Sequence, residues 1–226
     1  MTGIDLKGSK EEMSDAHDKM DRMYRYQRHF YDVTRKFYLL GRDHLIEKMD
    51  IRDGQKILEI GCGTGRNLAI LANKYPQAEF FGLDASAEML ESAITKVKKQ
   101  DLGNVILKMA LADDFDYSST FGLTEPLDTV FFSYSISMIP TWRESVDNAV
   151  KNVKSGRVIY FVDFYDQRDL PSAFAGLLQG WLKRFHVKYP EGLIPYLTKL
   201  EDDGLGESEV TPLFRSYSFL AEFRKK

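Results

Sequence analysis

Apolar residues along this chain keep two rhythms, and the change from one to the other marks its elements. Short apolar runs at Lys56–Ile60, Glu79–Leu83, Val105–Met109, Leu127–Phe132 and Arg157–Val162 have the length of strands, the first with the β-branching of a buried one. Helical segments separate them: Asn67–Lys74, with Leu68, Ile70 and Leu71; Ala87–Lys99, with Ser86 as N-cap; and Trp142–Val153. Asp53-Gly54, Tyr75-Pro76 and Ser155-Gly156 punctuate the run as turns, and 117–126 reads as a loop. Two more strands, Glu209–Phe214 and Tyr217–Phe223, read as a terminal hairpin. Strands alternating with helices predict a doubly wound α/β sheet of about seven strands.

Two stretches lie outside that alternation. From Met20 to Met49, Met20, Met23, Phe30, Thr34, Phe37, Gly41 and Leu45 fall at helical spacing, with arginines on the other faces. Gly41 is expected to divide this run into two N-terminal helices, and residues 1–19 to be a mobile tail. In 169–200, Leu170, Phe174, Leu177, Leu178, Trp181, Leu182 and Phe185 again have helical spacing, with Lys183, Arg184, His186 and Lys188 beside them. Set before the hairpin, that stretch is expected to form a helical lid; a basic, Trp-bearing helix also suits a membrane surface, and an ordinary packing helix is the plain alternative.

The candidate chemistry sits after the first strand. Gly61, Gly63 and Gly65 alternate between strand and helix, which lets the backbone turn tightly and approach a ligand with no Cβ in the way. A dinucleotide fingerprint would need glycine at 66, where Arg66 stands, and the Lys-Ser/Thr of a P-loop is absent. Asp84 ends the second strand, 23 residues after Gly61, close to the spacing at which a carboxylate accepts both hydroxyls of a ribose. Met89 could pack on an adenine face or in the core. The Ser133-Tyr134-Ser135 run and its continuation to Pro140 lie at the carboxyl end of the fourth strand, where such sheets do their chemistry.

Composition changes this picture little. The 226 residues suit one domain, 1–226, and 43% hydrophobic content supports a sizeable core. A formal charge of −3 carries no nucleic-acid signature. The single cysteine, Cys62, excludes an internal disulfide and fits a reducing cytoplasm. No run is long enough for a transmembrane helix, and Met1–Lys19 lacks the apolar core of a signal peptide. No metal site is expected, and oligomeric state is not legible.

The glycine loop resembles motif I of the class I S-adenosylmethionine (SAM)-dependent methyltransferases. That resemblance implies SAM as cofactor, with Gly61, Gly63 and Gly65 against its amino acid part and ribose and Glu59 near its amino group. It also implies an adenine-binding carboxylate after the third strand, Asp113 or, in the competing register, Asp114. Asn67, Ala85, Met89 and Ser133 complete the implied cofactor set. NAD is the outside alternative. The stretches Met23–His29, Tyr31–Lys36, Leu39–Asp43, Ser133–Pro140 and Trp181 with Arg184–His186 are further similar to bacterial betaine-lipid methyltransferases. These convert diacylglycerylhomoserine to the trimethylated lipid DGTS, and the similarity implies that Tyr31 and Arg42 close over the methionine end of SAM.

The acceptor chemistry can be argued separately. A neutral amine attacking a sulfonium methyl must shed a proton in each round, and tyrosine, histidine or water can take it. The growing cation is attracted by aromatic faces. Tyr24, Tyr134 and His186 are therefore the catalytic candidates, with His29 also near a candidate substrate element, while Tyr26 and Tyr31 join the aromatic pocket. A homoserine carboxylate calls for a guanidinium, for which Arg25, Arg28 and Arg143 are candidates. The expectation is a lipid amine N-methyltransferase, cytoplasmic and peripheral to the inner face of the membrane. Phosphatidylethanolamine or a soluble amine is the alternative acceptor, and a SAM-binding module without activity the non-enzymatic one.

Overall fold

The computed structural model describes residues 39–170 and 190–226. Seven strands form one mixed sheet: β1 (Lys56–Ile60), β2 (Glu79–Asp84), β3 (Val105–Met109), β4 (Leu127–Ser133), β5 (Val153–Phe164), β6 (Gly206–Leu213) and β7 (Ser218–Lys225), in the order β3-β2-β1-β4-β5-β7-β6. β1 to β5 run parallel; β7 pairs antiparallel with β5 and with β6. The helices are α1 (Arg42–Lys48), α2 (Arg66–Lys74), α3 (Ala87–Lys99), α4 (Tyr117–Phe121), α5 (Trp142–Asn152) and α6 (Leu193–Asp202), with a 3₁₀ turn at Ile136–Met138. This is the doubly wound α/β sheet that the alternation predicts.

Side-chain alternation along the strands divides the core in two. One face gathers Ile57, Phe80, Phe131 and Val162 under Leu45, Leu68 and Leu71. The other gathers Leu58, Phe81, Phe132 and Phe161 under Val146, Ala149, Leu193 and Leu197. Strands covered on both faces read as continuous apolar runs, which is why they were visible in the sequence. Leu193, Leu197 and Leu200 are buried, so the last part of the stretch expected as a lid is a core-packing helix. Its middle, 171–189, lies outside the described residues, as does the first N-terminal helix.

Several boundaries differ from expectation. β5 starts at Val153, and Ser155-Gly156 is not a free turn but a bulge within the strand: Leu127 pairs with Val153 and Thr129 with Val158, and Gly156 has φ 75°. Within the expected loop, Asp116 accepts hydrogen bonds from the amides of Ser118 and Ser119, both at 3.0 Å, and so caps α4. The hairpin is longer, because β6 begins at Gly206, where a Cβ would lie 2.4 Å from the Phe223 ring, and β7 runs on to Lys225.

The segment that follows β3 is held by two asparagines of α5. Asn148 donates to the carbonyls of Ala112 (3.2 Å) and Phe115 (2.8 Å). Buried Asn152 accepts the Tyr117 amide at 2.7 Å and donates to the Phe115 carbonyl at 3.3 Å. Removing one partner strands the other in the core. Asn152→Ala is expected to lower unfolding free energy by about 1–3 kcal/mol in urea titration, without loss of strand content; an unchanged midpoint would contradict this clamp.

Candidate active site

The loop after β1 depends on backbone that only glycine adopts freely. Gly61, Gly63 and Gly65 have φ of 70°, 54° and 71°. The amides of Gly61 and Cys62 both donate to the Leu83 carbonyl, at 2.9 and 3.0 Å, which folds the loop across the end of β2. At Gly61 a Cβ would stand 2.5 Å from the Cβ of Ser135. Ser135 in turn donates its hydroxyl to the Ile60 carbonyl at 2.7 Å. The loops following β1 and β4 are thus in direct contact.

Asp84 is almost buried, and backbone amides hold its carboxylate. Gly63 donates to Oδ2 at 2.7 Å and Ser86 to Oδ1 at 2.9 Å. Ser86 caps α3 through Met89.

Glu59 lies at the base of the loop and is 2% exposed. Its Oε1 accepts from Asn67 Nδ2 at 2.7 Å, while Oε2 is buried with no partner. Burial pushes its pKa from 4.5 up to about 8, against the opposing effects of the Asn67 hydrogen bond and the Arg42 charge. Arg42 is buried and donates from Nε to the Leu39 carbonyl at 3.2 Å. Arg66, the residue that breaks the dinucleotide fingerprint, reaches Asn67 Oδ1 (3.2 Å) and Asp43 (2.9 Å).

These groups line one cavity of about 830 Å³, within the range of small-molecule sites. Arg42, Glu59, Gly61, Gly63 and Asn67 form one wall; Asp84, Ala85, Met89 and Asp113 form the next; Ser133 to Ser135 and Met138 to Thr141 close the third. Asp113 borders the cavity, whereas Asp114 is exposed and does not. Ser133 Oγ is buried without a partner. Thr64 and Lys96 also line the cavity, and no sequence signal marks them.

Two candidates look different once folded. Tyr134 borders the cavity, but its hydroxyl donates to the Leu40 carbonyl and its ring packs edge-on against Phe164 at 4.8 Å. Burial also pushes its pKa well above the usual phenol value, so what it offers the cavity is ring surface. Arg143 is exposed, outside the cavity, with its guanidinium stacked on Trp142 at 4.2 Å. Tyr24, Arg25, Tyr26, Arg28, Tyr31, His29 and His186 lie outside the described residues. Among the described residues no cluster suits a metal, and no helix is long and apolar enough to cross a membrane.

The cavity suits SAM on its own chemistry. The buried Glu59 carboxyl would receive an ammonium group, the glycines of the loop would admit close contact, and Asp84 and Asp113, which border the same cavity, would offer acceptors to a ribose and an adenine. Comparison with known proteins agrees. The family described as "Methyltransferase domain" matches residues 51–214. A demethylmenaquinone methyltransferase of Bacillus cytotoxicus is 26% identical over 222 residues, 89% of this chain and 87% of the relative. An (S)-coclaurine N-methyltransferase of Papaver somniferum is 35% identical over 89 residues, 39% of this chain and 24% of the relative. Many such matches are partial: over five curated relatives the chain spans between 18% and 61% of their length. A solved SAM-dependent methyltransferase from Aquifex aeolicus has the same fold, at TM-score 0.59 and 18% identity, covering 92% of this chain and 96% of that one.

The proton on Glu59 yields a sign-specific expectation. With its pKa raised from 4.5 to about 8, the folded protein holds this proton where the unfolded chain releases it. The stability contribution is therefore fully present below 4.5 and is lost as pH rises toward about 8. An ammonium beside Oε2 favours the carboxylate, so binding SAM near pH ~7 is expected to expel up to about one proton. Calorimetry in buffers of different ionisation enthalpy checks this. Glu59→Gln is expected to abolish the release; an equal release in the variant would assign it elsewhere.

Proposed function

The chain belongs to the methyltransferase-domain family and carries that family's SAM cleft, and we propose that it methylates the amine of a lipid head group. The acceptor we favour is diacylglycerylhomoserine, taken by successive transfers to the betaine lipid DGTS. The observation that carries this reading is the contrast between the cleft's walls. Arg42, Glu59, Asp84 and Asp113 give the cleft a polar lining suited to the cofactor, while Leu39, Met138, Ile139 and Pro140 give it an apolar lining that we assign to the acceptor. Similarity of the 23–43 and 133–140 stretches to betaine-lipid methyltransferases points the same way.

SAM supplies the activated methyl, so the chain's own residues bind, orient and exclude water. Glu59 holds an ammonium, Asp84 a pair of hydroxyls and Asp113 an exocyclic amine. Met89 packs against the adenine. Tyr24, Tyr26 and Tyr31 are proposed to surround the growing cation, with Arg25 or Arg28 on the homoserine carboxylate. His186 is the proposed proton acceptor, because Tyr134 has its hydroxyl committed to Leu40. The protein is proposed to work from the cytoplasm, peripheral to the inner face of the membrane.

A second reading has a specific observation behind it. The identity with (S)-coclaurine N-methyltransferase favours a soluble amine acceptor. Mass spectrometry separates the two. Incubation with SAM and diacylglycerylhomoserine vesicles is expected to yield lipid carrying one, two and three added methyl groups. Folded, SAM-binding protein that leaves this lipid unmodified, yet methylates a soluble amine in the absence of vesicles, would overturn the lipid assignment.

A further inference from the structure

β5 ends in a residue that its surroundings do not explain. Val162 and Phe164 point into one core, and Asp163 is fully buried on the opposite side of the strand. That other side holds Phe161, Phe219 and Ile136. Burying a carboxyl there is unfavourable unless hydrogen bonds compensate. The hydrogen bonds show what the carboxyl does. Oδ2 accepts the Ser137 amide at 3.1 Å and Oδ1 accepts the Phe164 amide at 2.8 Å. Asp163 therefore ties the end of β5 to the 3₁₀ turn that follows β4.

That turn carries a wall of the cleft. Ser135, Met138, Ile139 and Pro140 all border the cavity. Besides the Tyr134 amide on the Val162 carbonyl, hydrogen bonds that involve side chains hold the segment at three points. Tyr134, at φ 55°, is fixed to Leu40 through its hydroxyl, Ser135 to the Ile60 carbonyl, and Ser137 to Asp163. The first two anchor the cofactor side. Only the third anchor immediately precedes the apolar margin.

We propose that Asp163 is a positioning residue for methyl transfer: through Ser137 it holds the Ile136–Met138 turn, and with it the Met138–Pro140 margin, where the acceptor meets the methyl group. This rests on the methyltransferase reading of the cleft, not on the lipid identity of the acceptor. Asp163 touches neither cofactor nor acceptor. Small displacements of an orienting wall are costly to the rate while leaving cofactor binding intact.

The test compares Asp163→Leu, Asp163→Ala and Asp163→Asn in the full chain. Hydrogen exchange is read on the segment 133–141, and kinetics on diacylglycerylhomoserine vesicles. Asp163→Leu is expected to fold, to keep the SAM dissociation constant within about threefold, and to lose about tenfold or more in kcat with little change in acceptor KM. Exchange in 133–141 accelerates by about tenfold or more, and Asp163→Asn, which keeps an acceptor for Ser137, restores most of both. Asp163→Ala removes the same acceptor with a smaller side chain and gives a similar acceleration, so the proposal stays testable should the leucine variant fail to fold. Wild-type exchange in both Asp163→Leu and Asp163→Ala overturns it. So does a tenfold loss of SAM affinity in Asp163→Leu matching the loss in kcat, which reduces Asp163 to general support of the cleft. If the wild-type protein leaves this lipid unmethylated, the lipid reading fails, and the exchange measurement still decides the role of Asp163.

Discussion

The site depends on one close approach. The loops leaving β1 and β4 meet at Gly61 and Ser135, at a distance that leaves no room for a Cβ. These strands are neighbours at the point where the sheet order reverses, with β2 and β3 on one side and β5, β7 and β6 on the other. A crevice opens at such a reversal because the connections leave in opposite directions. Its floor is set by how nearly the two loops touch. The Ser135 hydroxyl on the Ile60 carbonyl locks the contact, and the positive φ values that follow swing the loop over the end of β2. From there Asp84 captures the Gly63 amide, so the cofactor wall and its carboxylate are built by the same bend.

Around this contact the protein buries two carboxyls for different reasons. Asp163 has each carboxyl oxygen bonded to a backbone amide and serves as an anchor; burial raises its pKa to about 7. Glu59 lines the cavity and has one oxygen filled and one buried with no hydrogen-bond partner among the described residues. An unsatisfied buried acceptor costs roughly 1–3 kcal/mol and persists where function requires it. A cationic ligand offsets that cost when it binds. The same position that weakens the empty fold at neutral pH thus favours the cofactor.

Much of this was legible in the sequence, for identifiable reasons. The inner strands showed because both sheet faces are covered there, so their residues are apolar whichever way they point, while β3, at the sheet edge and partly exposed, showed by its apolar run alone. The glycine loop and Asp84 showed because the requirements of a tight turn and a diol are local. The Asp116 cap of α4 was a local signal too, and was passed over beside a glycine- and proline-bearing loop. The Gly156 bulge was read as a turn because glycine marks both. Other features were out of reach of any local pattern. Ser135 acquires its role from a carbonyl 75 residues away. The place of Arg143 is decided by the Trp142 face it stacks on, and that of Tyr134 by the Leu40 carbonyl. Asp163 did leave a trace, a lone acid closing an apolar strand, but its partner appears only when β4 and β5 lie side by side.

The central claim is that the crevice between the β1 and β4 loops is a SAM site. Titration of the purified protein with SAM by isothermal calorimetry, with NAD as the competing ligand, tests it most directly. Saturable binding at about one SAM per chain, displaced by S-adenosylhomocysteine and indifferent to NAD, is the predicted result. Binding of NAD with no heat from SAM would contradict the account at its root.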